Sequence, residues 1–330
     1  MKTAVQTAYG KPEVVVIRDT PKPVAGDNEV LVKVMATTVT SGDSRMRAFR
    51  IPAAFWLPAR LFMGITKPRK AVLGVEFAGT VEAIGKSVTR FAVGDRVFGL
   101  HIYGAHAEYK VVPDDAAIAT MPDGVSFEQA AAIPFGALTA QFFLRKADIK
   151  PGQKVLVNGA SGAVGCFAVQ LARHYGALVT GVCTAANAEL VRGLGASAVI
   201  DYKSTNFSRT GEQFDVIVDT IGNISLGQFR RTTTASGILL AVDGGGTAFL
   251  RAAWTGLFGS RKVIAAVSED KQADLESVRD LVAAGTLRPT IDSRYPFDEI
   301  VKAHARVDSG RKRGAVVVIM AEAQTALLRA

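Results

Sequence analysis

The sequence predicts an α/β protein: a β-rich first part, then a doubly wound, parallel sheet of six strands. Three observations carry this expectation. Up to about residue 120 the chain runs in short β-branched or alternating stretches broken by glycine, proline and aspartate. From Lys154 it changes to short apolar runs separated by longer helical segments, as parallel strands joined by crossovers require. Near that change a glycine-rich turn joins a strand to a helix, in Val155–Gly165.

In the first part, Val14–Ile17 and Glu29–Val34 read as strands, separated by the turn residues Pro21, Pro23, Gly26 and Asp27. Gly79–Ile84, Arg96–Phe98 and Ala107–Val112 follow as further strands. The parallel strands are expected at Val155–Val157, Leu178–Val182, Ala198–Ile200, Val216–Val218, Ile238–Val242 and Lys262–Val267. Between them, Gly162–Tyr175, Asn187–Leu194 and Leu226–Thr232 read as helices. Val164, Phe167, Ala168, Leu171 and Ala172 fall on one helical stripe, suited to packing on a sheet. Asp274–Ala284 and Phe297–Ala305 read as late helices, and Ala315–Met320 as a closing strand.

Two apolar segments interrupt this pattern. Ala48–Lys70 carries Phe49, Phe55, Trp56, Leu57, Leu61, Phe62 and Met63; Phe249–Phe258 carries Leu250, Trp254 and Leu257. Both suit a core or dimer contact, or an apolar cover over a substrate.

Composition narrows the function classes. The chain has 330 residues, 48% hydrophobic and 21% charged, which is globular rather than disordered. Its two cysteines, Cys166 and Cys183, exclude a disulfide framework or a cysteine-rich zinc lobe. Met1–Tyr9 is short and mixed, unlike a cleavable signal, and no apolar run reaches transmembrane length. A cytoplasmic protein is expected. The net charge of +9 is scattered, with one dense cluster at Arg311–Arg313, so nucleic acid is not an expected partner. Positive potential suits a phosphate-rich cofactor equally well.

The turn Asn158–Gly165 gives the sharpest functional signal. Ala160, Gly162 and Gly165 occupy the spacing of a dinucleotide fingerprint, with alanine replacing the first glycine. Gly162 would let the backbone approach a pyrophosphate, and Gly165 would let helix and strand pack closely. With Ser161, Ala163 and Val164 they form the expected phosphate-binding helix start. The next strand ends in Cys183-Thr-Ala-Ala-Asn187, without the carboxylate that usually binds the ribose of NAD. Thr184 and Asn187 are therefore candidate contacts, and NADP(H) is preferred over NAD(H). Asp219 and Gly222 end the fourth strand and Gly244 the fifth, at the sheet edge where ligands bind. Asp219 suits a structural cap equally well.

Taken together, Val72–Val81, Gly94–Phe98, Gly136–Ala140, Pro151–Val157, Asn158–Gly165 and Ser309–Gly314 resemble the medium-chain dehydrogenase/reductase superfamily. The likeness is nearest to its zinc-independent quinone oxidoreductase-like branch. It implies a GroES-like catalytic domain interrupted by a Rossmann domain. The expected division is 1–123, 124–267 and 268–330, the last segment returning to the catalytic domain. By the same likeness Thr139 would lie near the nicotinamide, and Lys312, just before Gly314, near the cofactor.

Departures from the family pattern matter. Zinc-dependent members carry a ligand cysteine where this chain has Thr40, and their Gly-His-Glu motif reads Gly74-Val75-Glu76 here. No metal site is expected, since catalytic zinc needs about three protein ligands. The asparagine and tyrosine of quinone-reductase relatives are replaced by Thr40 and Arg45, with Asp43 retained. Thr40, Arg45 and Thr139 are the candidate catalytic groups, placed to stabilise negative charge on a carbonyl oxygen. Arg45 suits a structural contact with Asp43 equally well. Among the histidines, His101 and His106 flank a glycine turn, His174 reads as helical surface and His304 lies in a late helix. The expected function is NAD(P)H-dependent hydride transfer to an apolar quinone or α,β-unsaturated carbonyl by a homodimer. The alternatives are a non-enzymatic NADPH-binding regulator and a zinc-independent alcohol dehydrogenase-like enzyme.

Overall fold

The computed structural model describes residues 1–52, 55–243, 245–258, 260–269 and 271–320. They divide into two compact units. The first comprises the described residues of Met1–Phe135, a stretch ending at Gly285 and residues 289–320; the second comprises the described residues of Gly136–Glu269 and Thr286–Arg288.

In the first unit, β1 (Lys2–Gln6) and β2 (Val15–Asp19) form an antiparallel pair. The central strand, β3 (Glu29–Val39), alternates, so Val30, Val32 and Val34 all point into the core. Thr40 then starts α1 (Ser41–Ala48) by a capping box with Asp43, and α2 (Trp56–Met63) follows. The strands β4 (Glu76–Ile84), β5 (Arg96–Leu100), β6 (Tyr109–Pro113) and β7 (Ala117–Thr120) extend the sheet, and α3 (Phe127–Ala131) closes this stretch.

The second unit begins within α4 (Pro134–Ala147). Its six strands are β8 (Lys154–Asn158), β9 (Leu178–Cys183), β10 (Ala198–Asp201), β11 (Phe214–Asp219), β12 (Thr233–Ala241) and β13 (Lys262–Ile264). All pair in parallel, in the order β10-β9-β8-β11-β12-β13. The chain therefore winds outward in both directions from β8 and β11, creating a switch point between them. The connecting helices are α5 (Ala163–His174), α6 (Ala188–Gly193), α7 (Leu226–Thr232) and α8 (Gly245–Phe258).

The chain then completes the first unit. It adds α9 (Gln272–Ala283), β14 (Ile291–Pro296), α10 (Ile300–Asp308) and β15 (Ala315–Ile319). β15 pairs in parallel with β14 and antiparallel with β3, giving a seven-stranded sheet.

Several local expectations change. The late helix starts at Ile300, after a 3-10 turn at Phe297–Glu299. β12 starts at Thr233, five residues before the apolar run at Ile238, because its polar beginning still pairs with β11. A single buried stripe on α5 is an underestimate: every residue from Gly165 to Ala172 is buried. Gly136 of α4 lets that helix approach closely; a Cβ there would lie 2.7 Å from the Ala163 carbonyl oxygen and from the Phe167 ring. On another side Gln170 binds the backbone of Arg288 through both amide atoms.

Candidate functional site

The fingerprint turn lies at the carboxyl end of β8, beside the switch point. Gly159 turns the chain with φ +83°, a left-handed conformation that disfavours a side chain. The N–H groups of Gly159 and Ala160 both donate to the Val182 carbonyl at the end of β9. Gly162 caps α5, and the helix bonds begin with Cys166 N–H donating to the Gly162 carbonyl. The amides of Ala163, Val164 and Gly165 are thus the first turn, aimed out of the helix start. The glycines are not equivalent. A Cβ on Gly165 would fall 2.1 Å from the Gly159 carbonyl oxygen, whereas one on Gly162 would meet that atom at 3.3 Å. Gly165 is required for helix–strand contact; a Cβ at Gly162 would press tightly on one backbone oxygen, and the space above the turn is otherwise clear. A pyrophosphate fits that space, with positive helix-end potential and backbone donors on one side.

Neighbouring candidates divide by how fully their polar atoms are engaged. Asn187, after β9, donates from its side-chain amide to the Ser161 hydroxyl at 3.0 Å. This ties the fingerprint turn to the Thr184–Asn187 turn. Asp219 is buried and surrounded by donors. Its Oδ1 accepts from the Asn158 side chain at 2.8 Å and from the amides of Ile221 and Gly222, while Oδ2 accepts from Ile224 N–H. It organises the loop after β11 and bridges to the end of β8 across the switch point. Gly222, at φ +80°, could not carry a Cβ, which would lie 1.7 Å from the Asp243 carbonyl oxygen. Gly244 lies outside the described residues. Thr139 is buried on α4, one turn beyond the Gly136 contact with α5.

The candidates in the first unit are also sorted by their surroundings. Thr40 is buried; its hydroxyl donates to Asp43 Oδ2 at 2.6 Å and accepts from Asp43 N–H. Asp43 Oδ1 accepts from Gly74 N–H at 2.9 Å, tying α1 to the Gly74-Val75-Glu76 segment. Arg45 is exposed on the same helix. Lys312 donates to the Gly314 carbonyl at 2.9 Å, and its positive charge favours the ionised form of Glu76.

Sequence reasoning missed the buried ionisable groups of this unit. Glu76 is fully enclosed: Thr38 Oγ1 and the Phe135 N–H donate to its two oxygens. Burial pushes its pKa up to about 7, against those hydrogen bonds, and the nearby Asp43 carboxylate pushes the same way. His106 bonds the Thr38 carbonyl at 2.9 Å and packs edge-on against His304, with ring centres 5.4 Å apart. Burial, His106 and Arg47 keep His304 well below its ordinary pKa, so it is neutral. Arg47, not Arg45, is the buried arginine of α1; it pairs with Asp308 and donates to the Gly10 carbonyl. The helical pattern alone could have revealed Arg47, since it lies four residues from Asp43 on the inward face. Among the described residues, no group of three or more His, Cys, Asp or Glu side chains is arranged to hold a metal ion.

Comparison with known proteins places this architecture. Residues 26–123 match the alcohol dehydrogenase GroES-like domain family, and residues 194–318 the zinc-binding dehydrogenase family. A quinone oxidoreductase from Pseudomonas aeruginosa is 31% identical, over 94% of this chain and 97% of its own. The 2-methylene-furan-3-one reductase of Solanum lycopersicum is 30% identical, over 96% and 79%. A mycobacterial protein solved in complex with NADPH superposes with a TM-score of 0.79 at 26% identity, covering 97% of this chain and all of the other. With its GroES-like sheet, its six-stranded Rossmann sheet and its end-to-end similarity to these proteins, the chain belongs to the medium-chain dehydrogenase/reductase superfamily, in the quinone oxidoreductase-like branch.

Proposed function

We propose that the chain is an oxidoreductase that uses NADPH to reduce an apolar quinone or α,β-unsaturated carbonyl, without catalytic zinc. The observation that carries this reading is the Asn158–Gly165 turn: a glycine demanded by packing at 165, a less crowded glycine at 162 and a helix start, all beside the switch point. When bound, the nicotinamide supplies a hydride. The amides of Ala163, Val164 and Gly165 hold the pyrophosphate, and Ser161 is oriented for it by Asn187. Thr184 and Asn187 face the adenosine ribose with no carboxylate in their turn, which favours the 2′-phosphate of NADPH over NADH. Asp219 acts by shaping the loop that holds Gly222. Thr139 lies by the nicotinamide and Lys312 by the cofactor.

At the acceptor, negative charge develops on the carbonyl oxygen and needs positive potential or hydrogen bonds. Arg45 supplies the charge in this reading. Thr40 sets the position of α1 through Asp43, and the acceptor proton comes from solvent. The missing cysteine at position 40 and histidine at 75 remove the zinc ligands of the metal-dependent relatives. Ala48–Lys70 covers the acceptor. In this reading the protein is cytoplasmic and dimeric. No helix among the described residues is long and apolar enough to cross a membrane.

The test is NADPH oxidation with 1,4-quinones and short enones as acceptors, with and without a strong chelator, beside calorimetric binding of NADPH and NADH. Chelator-resistant turnover and tighter binding of NADPH are expected. Tight NADPH binding with no turnover on any acceptor would make the chain a cofactor-binding regulator. Stoichiometric zinc with chelator-sensitive turnover would overturn the metal-free reading.

A further inference from the structure

The first unit holds a cavity of about 540 Å³ that none of the candidate catalytic residues lines. Neither Thr40 nor Arg45 lines it. Its wall comes from the Arg69–Val72 segment, the His101–Gly104 loop and β6, and no aspartate or glutamate is among its lining residues. Every ionisable side chain there is either basic (Arg69, Lys70, His101, Lys110) or the phenol of Tyr103 or Tyr109. A cavity with basic groups, two tyrosine rings and no acid suits an anion with a flat apolar body.

Lys110 is the most distinctive part of this wall. It occupies an inward position of β6, where the alternation calls for an apolar side chain, and it is buried. Its Nζ donates to the carbonyls of His101, at 3.0 Å, and Tyr103. No carboxylate forms an ion pair with it among the described residues. The loop is shaped around the amine: Tyr103 and Gly104 take consecutive left-handed conformations, at φ 62° and 91°. Two carbonyl acceptors match the two N–H groups of a neutral amine and leave its third position for a ligand or a proton. His101 adds a second unsatisfied group, a buried Nδ1 with no hydrogen-bond partner.

We propose that this cavity binds a small aromatic carboxylate, its charged end held by Lys110 and Arg69 and its ring lying between Tyr103 and Tyr109. Binding couples to a proton. Burial pulls the Lys110 pKa down to about 7, while the Asp43 charge works the other way. The other charged or titratable groups around the cavity are His101 and Tyr103 from the loop, His106, Arg69, Lys70, Tyr109 and the Met1 ammonium, with the Glu29 and Asp115 carboxylates acting on His101. A bound carboxylate favours the ammonium form, so occupancy takes up a proton above pH 7 and affinity falls as pH rises.

Benzoate is the probe, titrated calorimetrically into the full chain at pH 6 and pH 8 in buffers of different ionisation enthalpy. One site per chain is expected, about tenfold weaker at pH 8, with close to one proton taken up there. Lys110→Met should abolish the pH dependence and weaken binding at pH 6 more than about tenfold. Arg69→Gln should weaken binding while keeping the proton uptake, and it serves as the second variant if Lys110→Met does not fold. NADPH oxidation should be unchanged in Lys110→Met. Four results would overturn the proposal: no saturation by benzoate, pH-independent affinity, equal affinity for inorganic phosphate, or competition between benzoate and the acceptor.

Discussion

Among the described residues, six side chains of the Asp, Glu, His, Lys and Arg types are buried in the first unit: Asp43, Arg47, Glu76, His106, Lys110 and His304. In the second unit Asp219 is the one such group among the described residues. The two units solve the problem of presenting polarity in different ways. The parallel sheet keeps an apolar interior and offers backbone amides and carbonyls at strand ends, where helix starts concentrate them. The antiparallel unit takes ionisable groups inside and pairs most of their polar atoms with hydroxyls, backbone groups and each other, while both ring nitrogens of His304 have no hydrogen-bond partner. Ligand recognition in the second unit should therefore depend on shape and be insensitive to pH near neutrality. In the first unit burial brings two enclosed groups, Glu76 and Lys110, both to about 7.

The largest expected effect tests the shape side of this contrast. Gly165→Val should destabilise the protein by more than about 3 kcal/mol and eliminate NADPH binding, because its Cβ would have to displace backbone at Gly159 and Ala160. Gly162→Val should lose less stability than Gly165→Val and bind NADPH at least about tenfold more weakly, since its Cβ would press on one backbone oxygen while its side chain fills the space above the turn. Equal stability of the two variants in thermal melts would break the assignment of one glycine to packing and the other to the ligand.

A smaller effect tests the charge side. The Glu76 pKa is raised from 4.5 to about 7, so the folded state keeps a proton that the unfolded chain releases between those values. Its contribution to stability is complete below about pH 4.5 and lost as pH rises through 7. Glu76→Gln keeps both partners: its carbonyl can accept from Phe135 N–H, and its amide can donate to a rotated Thr38 hydroxyl. Relative to the parent, the variant should gain up to about 3 kcal/mol on moving from pH 5 to pH 8 in denaturant titrations. A difference that does not change with pH would mean that Glu76 is ionised throughout.

The smallest effect concerns Ala48–Lys70. The inner side of α2 is anchored where the Arg60 guanidinium lies 4.0 Å from the Phe49 ring centre and 4.4 Å from that of Tyr9. Leu57, Leu61 and Phe62 remain exposed. Trp56→Ala should raise KM a few-fold for long apolar acceptors, less for short ones, and leave the mass in solution unchanged. A shift to monomer with equal KM across acceptors would assign the segment to a dimer contact instead.

How much of this was legible in the sequence follows the same contrast. The six parallel strands could be read because each is a continuous apolar run, and the turn after β8 because glycine spacing is a direct record of backbone geometry. In the first unit Lys2–Gln6, Ala117–Thr120 and Ile291–Pro296 were not recognised as strands, being short or polar and defined by their partners across the sheet. The helix at Ser41–Ala48 was hidden because its polar sequence faces inward toward Asp308, more than 250 residues away. Lys110 and Glu76 look like surface charges in a linear reading; only pairing shows that their side chains point into the core.

The return of the chain to β3 has a consequence for synthesis. Glu29–Lys33 is covered by β6 soon after it is made, but Ala36–Val39 has its partner in Val316–Ile319. While the second unit forms from its own contiguous strands, that stretch of β3 remains an open edge, with unpaired amides and a valine at its end. Nascent chains stalled before Ala315 would present this edge to one another, so the segment most exposed to misassembly is one that the finished fold hides completely.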